Sequence, residues 1–293
     1  MFRLIGVPID SAGSAGGTEL APAAFRELGL GGAIDSHDSG DLDVRIRAVG
    51  RDPETGVVGL DDVVRTTTEI RRAVHRTLES GEIPFLIGGC CTMVPGALAG
   101  LADSRETVGL AHLDGHLDLY DEKSSPLGEA ADMPVAVALG LGPASWVEAA
   151  GTPLTPAATW IVGYRDREDS LRDGMVMPED FDPAVNCLST EELREAGMAS
   201  AGTRVADALT SSTAGYWVHL DLDIVDPGLF LANDAPVPDG IDWDELTGLM
   251  TPLLRSQALA GFSLGCYNPE KDRDGANGRR IVQVIADAFG NTT

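Results

Sequence analysis

The chain has 293 residues, 43% of them hydrophobic, enough to bury the core of one large α/β domain or of two small ones. Its 21 Lys and Arg against 46 Asp and Glu give a formal charge of -25, which repels nucleic acid and anionic membranes and argues against either as a partner. No run of about 18 apolar residues is present to span a bilayer, and "MFRLIGVPID" enters a strand pattern without a signal-peptide pattern, so a cytoplasmic protein is expected.

In chain order, "RLIGVPI" reads as a strand. The Gly- and Asp-rich stretch "GLGGAIDSHDSGDLDVRIRAVGRDPETG" follows as an irregular insertion, and "LDDVVRTTTEIRRAVHRTLES" has the period of an amphipathic helix. "IPFLIGG" is a strand that runs into a Gly-rich turn and a helix through the adjacent Cys90 and Cys91. "VGLAHLDGH", "TWIVGYRD", "YWVHLDLD" and "LAGFSLGCY" are further strands, and "WDELTGLMTPLLRS" and "GRRIVQVIADAFG" further helices. Such alternation predicts one α/β domain, a mostly parallel sheet with helices on both faces, in which ligands gather at the carboxyl ends of the strands. The four cysteines, Cys90, Cys91, Cys187 and Cys266, show no CxxC spacing, so reduced thiols are expected rather than a disulfide framework or a zinc knuckle.

Two strand ends carry acidic clusters: "HLDGHLD" supplies Asp114, His116 and Asp118, and "HLDLDIVDP" supplies Asp221, Asp223 and Asp226. Carboxylates this dense repel one another unless protons or cations neutralise them. One such cluster could be a group of solvated loop acids. Two, each directly after an apolar strand and one with a histidine, point to divalent ions such as Mn²⁺. Strand alternation places His112 on the face of Asp114 and His219 on that of Asp221, where both would orient the carboxylates. His37 and His75 lie far from any motif and read as surface residues.

These motifs, in this order and across nearly the whole chain, resemble the ureohydrolase family of arginases, agmatinases and formiminoglutamases. "LIGVPIDSAGSAGGTELAPAAFRELGL" resembles the family's opening strand, Gly-rich loop and first helix, and "IVGYRDRED" its central strand and substrate loop. "DGHLD" resembles its Asp-Ala-His-x-Asp motif, and "HLDLDIVDP" its Ser-x-Asp-x-Asp-x-x-Asp-Pro motif. The resemblance implies a three-layer, single-domain fold over residues 1–293 and a homo-oligomer, a trimer or hexamer. It implies that Asp114 and Asp221 bridge two Mn²⁺ ions, with Asp118 on the first and His116 and Asp223 on the second. A metal-bridging hydroxide would then hydrolyse a C–N bond of a small linear guanidine or amidine.

The departures from the family pattern concern single residues. "GGCCT" stands where the family has Gly-Gly-Asp-His-Ser, which puts Cys91 at a ligand of the first metal, as related enzymes acting on N-hydroxyarginine also resemble. Cys91 is then either a thiolate ligand or a small buried side chain. Ligation is favoured, because a vacant first site leaves Asp118 and the shared carboxylates poorly neutralised, whereas Cys90 reads as packing. Cys266 takes the substrate-binding position of the family's guanidinium-holding glutamate, and Ala131 that of its proton-shuttling histidine. Glu129 is the nearest substitute for both roles, Glu270 a weaker one, and Glu168 corresponds to an acid that contacts the substrate's amino group in arginases. Asp118, His116 and Glu129 are thus the candidate catalytic residues. Alternatives to a hydrolase of cationic guanidines are one of N-hydroxyguanidines or other non-cationic amidines in a biosynthetic pathway, or an inactive partner subunit.

Overall fold

A computed structural model describes residues 1–11, 16–47 and 50–290, so Ala12 to Ala15 of the Gly-rich loop lie outside the described residues. Among those described, eight strands form one sheet: β1 (Phe2–Val7), β2 (Ser36–Asp41), β3 (Ile83–Gly88), β4 (Gly109–Leu113), β5 (Thr159–Tyr164), β6 (Asn186–Ser189), β7 (Tyr216–Asp221) and β8 (Leu259–Gly265). Their order is β2-β1-β3-β8-β7-β4-β5-β6, and every neighbouring pair runs parallel. The sheet is therefore wholly parallel rather than mostly so. Strands covered on both faces need apolar side chains on both, which is why β3, β4, β7 and β8 read as continuous apolar runs and are buried throughout apart from Ile83.

Eleven α-helices flank the sheet among the described residues: α1 (Ala21–Glu27), α2 (Leu30–Ala33), α3 (Leu60–Glu79), α4 (Val94–Ala102), α5 (Pro134–Ala138), α6 (Ala144–Ala150), α7 (Arg167–Asp173), α8 (Thr190–Ala196), α9 (Met198–Ser212), α10 (Trp243–Leu254) and α11 (Ala276–Phe289). Strand alternation divides the core in two. Phe85, Leu113, Val162 and Val218 face α1 and α9 to α11, whereas Leu86, Leu110, Ile161 and Trp217 face α3 to α6. No helix among the described residues is long and apolar enough to cross a membrane.

Local sequence explains where the elements stop and start. Asp242 caps α10 by accepting from the N–H of Glu245 at 2.8 Å, and the Asp242 N–H donates in return to the Glu245 carboxylate at 2.9 Å. Gly96 brings α4 against α3, since a Cβ there would stand 2.7 Å from the Thr67 carbonyl oxygen. The irregular insertion expected after residue 28 is a correction: it contains α2 and β2. β2 reads "SHDSGD", too polar to be recognised as a strand, and is tolerated because it is an exposed edge paired only with β1.

Candidate metal centre

The central strands β3, β8, β7 and β4 deliver their carboxyl ends to one place, as parallel sheets do at a ligand site. There a cavity of about 370 Å³ has Cys90, Cys91, His116, Asp118, Asp221, Asp223 and Cys266 in its lining. Asp114 lies beneath it, fully buried. The turn after β3 fits against β1 because Gly89 has no side chain; a Cβ there would sit 1.5 Å from the Ile9 carbonyl oxygen.

Backbone N–H groups aim the carboxylates. The N–H of His116 donates to Asp114 Oδ1 at 2.7 Å, that of Gly115 to Asp223 Oδ1 at 2.9 Å, and that of Asp223 to Asp221 Oδ1 at 2.9 Å. The second oxygens meet other donors: Asp223 Oδ2 lies 2.9 Å from His116 Nδ1, and Asp221 Oδ2 2.9 Å from Cys91 Sγ. His112 Nε2 stands 2.9 Å from Asp114 Oδ2 and 3.0 Å from Asp118 Oδ2, so it grips two carboxylates from below as its strand face predicts. His219 differs from expectation. It bonds Ser263 Oγ through Nδ1 at 2.7 Å and stacks on His112, its Nε2 has no hydrogen-bond partner, and no hydrogen bond joins it to Asp221. Asp226 belongs to a turn, accepting from the N–H groups of Gly228 and Gly240 at 2.8 and 3.1 Å.

The donor set fits divalent cations. Asp114, Asp118, Asp221 and Asp223 are all buried, and ligand atoms of Asp114, His116 and Asp223, of Cys91, Asp114 and Asp118, and of Cys91, His219 and Asp221 lie within 4.8 Å of one another in each group. Burial, then the charge of Asp114, pushes Asp118 up to about 7 and raises Asp223; burial, then Asp223 and Asp114, holds Asp221 well above the carboxylate range. Burial opposes charge on His112, yet Asp114 and Asp118 raise it to about 10, while Asp223 and Asp114 outweigh burial at His116. So much mutually repelling charge, with a buried imidazole nitrogen left unpaired, is chemistry arranged around a cation.

The cavity wall adds residues from separate segments. Glu129 and Ala131 line it, as do Asp10, Asp132 and Asp234, which the motifs did not reveal. Burial, then Asp132, Asp10 and Asp234, raises the Glu129 carboxyl. Glu168 is exposed on α7 and is not part of this lining, and Glu270 borders a separate surface depression. Arg165, inside "YRDRED", carries no local sequence signal of its role. Its guanidinium donates to the carbonyls of Gly163, Asp223, Ile224, Val237 and Pro238 at 2.7 to 3.2 Å, fixing the segment that carries Asp223.

A parallel α/β sheet that gathers carboxylates, imidazole and thiols beneath an acidic cavity has the layout of an enzyme with a candidate metal centre. The chain belongs to the arginase family, whose model matches residues 1–290 and whose members hydrolyse C–N bonds of guanidino and amidino compounds. It is 26% identical over 297 residues to the arginase of Brevibacillus brevis, covering 99% of this chain and 98% of that one. The structure of Bacillus caldovelox arginase superposes with a TM-score of 0.87 at 24% identity, and that of Bacillus cereus arginase with 0.84 at 25%; each comparison covers 99% of this chain and 98% of the other.

Proposed function

We propose that this chain hydrolyses a C–N bond in a small, linear guanidino or amidino compound, with Asp114 and Asp221 shared between two metal positions. Cys91 and Asp118 complete one position, and His116 and Asp223 the other. The observation that carries the reading is the convergence of these six side chains, five of them in the lining of one cavity and Asp114 directly beneath it. When bound, the divalent ions, Mn²⁺ at the oxygen and nitrogen donors, supply Lewis acidity and make water a nucleophile near neutral pH.

The chain's own residues shape what can bind. Beside the donors the wall carries Cys266 and Ala131 rather than a carboxylate and an imidazole, so a neutral or weakly basic reacting group suits this end. A cationic part of the substrate is accommodated by Glu129, Asp132 and Asp10, whose crowding it relieves. Glu129, with its raised pKa, keeps a proton closer to neutrality and can pass it to the leaving amine. His116 is held by Asp223 while about a third of its side chain remains open to the cavity. The test is release of urea or amine from a panel of guanidino and amidino compounds by metal-loaded protein. Hydrolysis that chelation abolishes and metal restores is expected; protein that retains no divalent ion refutes the reading.

A further inference from the structure

Two thiols meet within this centre. Cys91 follows the turn after β3 and Cys266 is the first residue beyond β8; these strands are neighbours in the sheet, and the two Sγ atoms lie 3.5 Å apart. Cys266 has φ of 62°, a left-handed conformation uncommon outside glycine, and its N–H donates to the Gly89 carbonyl at 2.6 Å. The second thiol is thereby fastened to the turn that presents the first. Cys91 Sγ is also 2.9 Å from Asp221 Oδ2. His219 is fully buried, its Nε2 is unpaired, and its ring lies with Cys91 and Asp221 in one group of ligand atoms within 4.8 Å.

Two sulfurs bound at about 2.3 Å to one tetrahedral ion stand ~3.7 Å apart, whereas a disulfide brings them to about 2.05 Å. The observed 3.5 Å is a thiol–thiol hydrogen-bond distance that a shared ion also accommodates with little movement, whereas a disulfide would require the sulfurs to close by well over an ångström. A thiol pair that merely fills space explains the packing, but leaves the unpaired, buried imidazole nitrogen of His219 without a purpose. We propose that Cys91 and Cys266, together with Asp221, form a thiolate-pair site for a thiophilic divalent cation, Zn²⁺ or Co²⁺ in preference to Mn²⁺, with Asp114, Asp118 and His219, each grouped with Cys91, as the further donors. Each thiol releases its proton to solvent as its sulfur–metal bond forms. The inference rests on the metal-centre reading above and adds Cys266 to it, so that the two ends of the centre differ: sulfur-rich at Cys91, oxygen and nitrogen at His116.

The experiment loads reduced, metal-free, full-length protein with Co²⁺ and reads bound cobalt together with the sulfur-to-cobalt charge-transfer absorption in the near ultraviolet. Wild type should show the band; Cys91→Ser and Cys266→Ser should each lose about half of it, and the double variant all of it. Cobalt bound without the band, or a band undiminished in Cys266→Ser, overturns the proposal while leaving the hydrolase reading intact. No bound cobalt at all overturns both. A measurement on unmodified protein guards against misfolded variants: Zn²⁺ added to Mn²⁺-loaded enzyme should displace one of the two manganese equivalents and leave the other. Displacement of neither refutes the thiophilic site, and indiscriminate displacement of both refutes the asymmetry.

Discussion

Replacing Arg165 should disable the centre without touching a metal donor. Its guanidinium reaches five carbonyls from three segments, among them that of Asp223, whose side chain lines the cavity floor. Lysine offers at most three donors from a single point, so Arg165→Lys gives up at least two of these five bonds, even though the Gly163 and Ile224 carbonyls keep donors in Thr190 and Ile241. At about 1–2 kcal/mol for each lost bond to a charged donor in this partly buried setting, the cost is about 2–4 kcal/mol. For a chain of this length that lowers Tm by roughly 4–8 °C. Asp223 should also lose its aim, so metal retention should fall alongside stability. Urea unfolding midpoints and metal analysis of the same preparation measure both effects. A Lys variant within about 0.5 kcal/mol of wild type with full metal content would show that the guanidinium is dispensable and would refute the reasoning.

Other outcomes follow from the same geometry. On the proposed assignment, in which one carboxylate serves both positions, Asp221→Ala should deplete both and abolish turnover; undiminished metal content would falsify that role. Glu129→Gln should lower kcat by about 10²-fold or more with metal content unchanged, whereas Glu168→Gln, outside the cavity, should change kcat little; the reverse ranking in steady-state kinetics would move proton handling to α7. Metal-free protein should lose stability as pH rises from about 6.5 to about 10. In the folded state His112 titrates near 10 and His116 is raised as well, so the fold holds protons there that the unfolded chain has released. Asp118, near 7, completes its share at the start of this window, and His219, lowered to about 3, acts in the opposite sense only below about 6.5. Equal melting temperatures across that range after chelation would contradict the ion pairs described. Finally, Mn²⁺ should raise Tm by mass action in a concentration-dependent way, which scanning calorimetry with and without chelator decides.

Six strands were legible because burial on both faces leaves them with unbroken apolar runs, whereas β2 and β6, a polar edge and a four-residue edge, lack that signature. The candidate donors were legible for a related reason: Asp114, His116, Asp118, Asp221 and Asp223 follow apolar strands within a few residues. Asp226 carried the same local signal but serves its own turn. Asp10, Asp132 and Asp234 come from three segments that only the folded topology unites, although Asp10 could have been suspected because it follows a strand as the metal-site acids do. The meeting of Cys91 with Cys266, 175 residues apart, required knowing that β3 and β8 are neighbours.

The polar edge strand has a consequence for how copies of this chain can assemble. β2 exposes Asp38 and Asp41, both drawn toward Arg26, along the row of backbone groups that an incoming strand would need. A second chain docking there edge to edge would set its own aspartates against them and would have to break the Arg26 pairs, a double penalty for extending the sheet between molecules. At the opposite border β6 offers only four residues before the chain turns into α8. With both borders closed to strand addition, any contact between copies would have to use the helical layers and loops rather than extend the sheet.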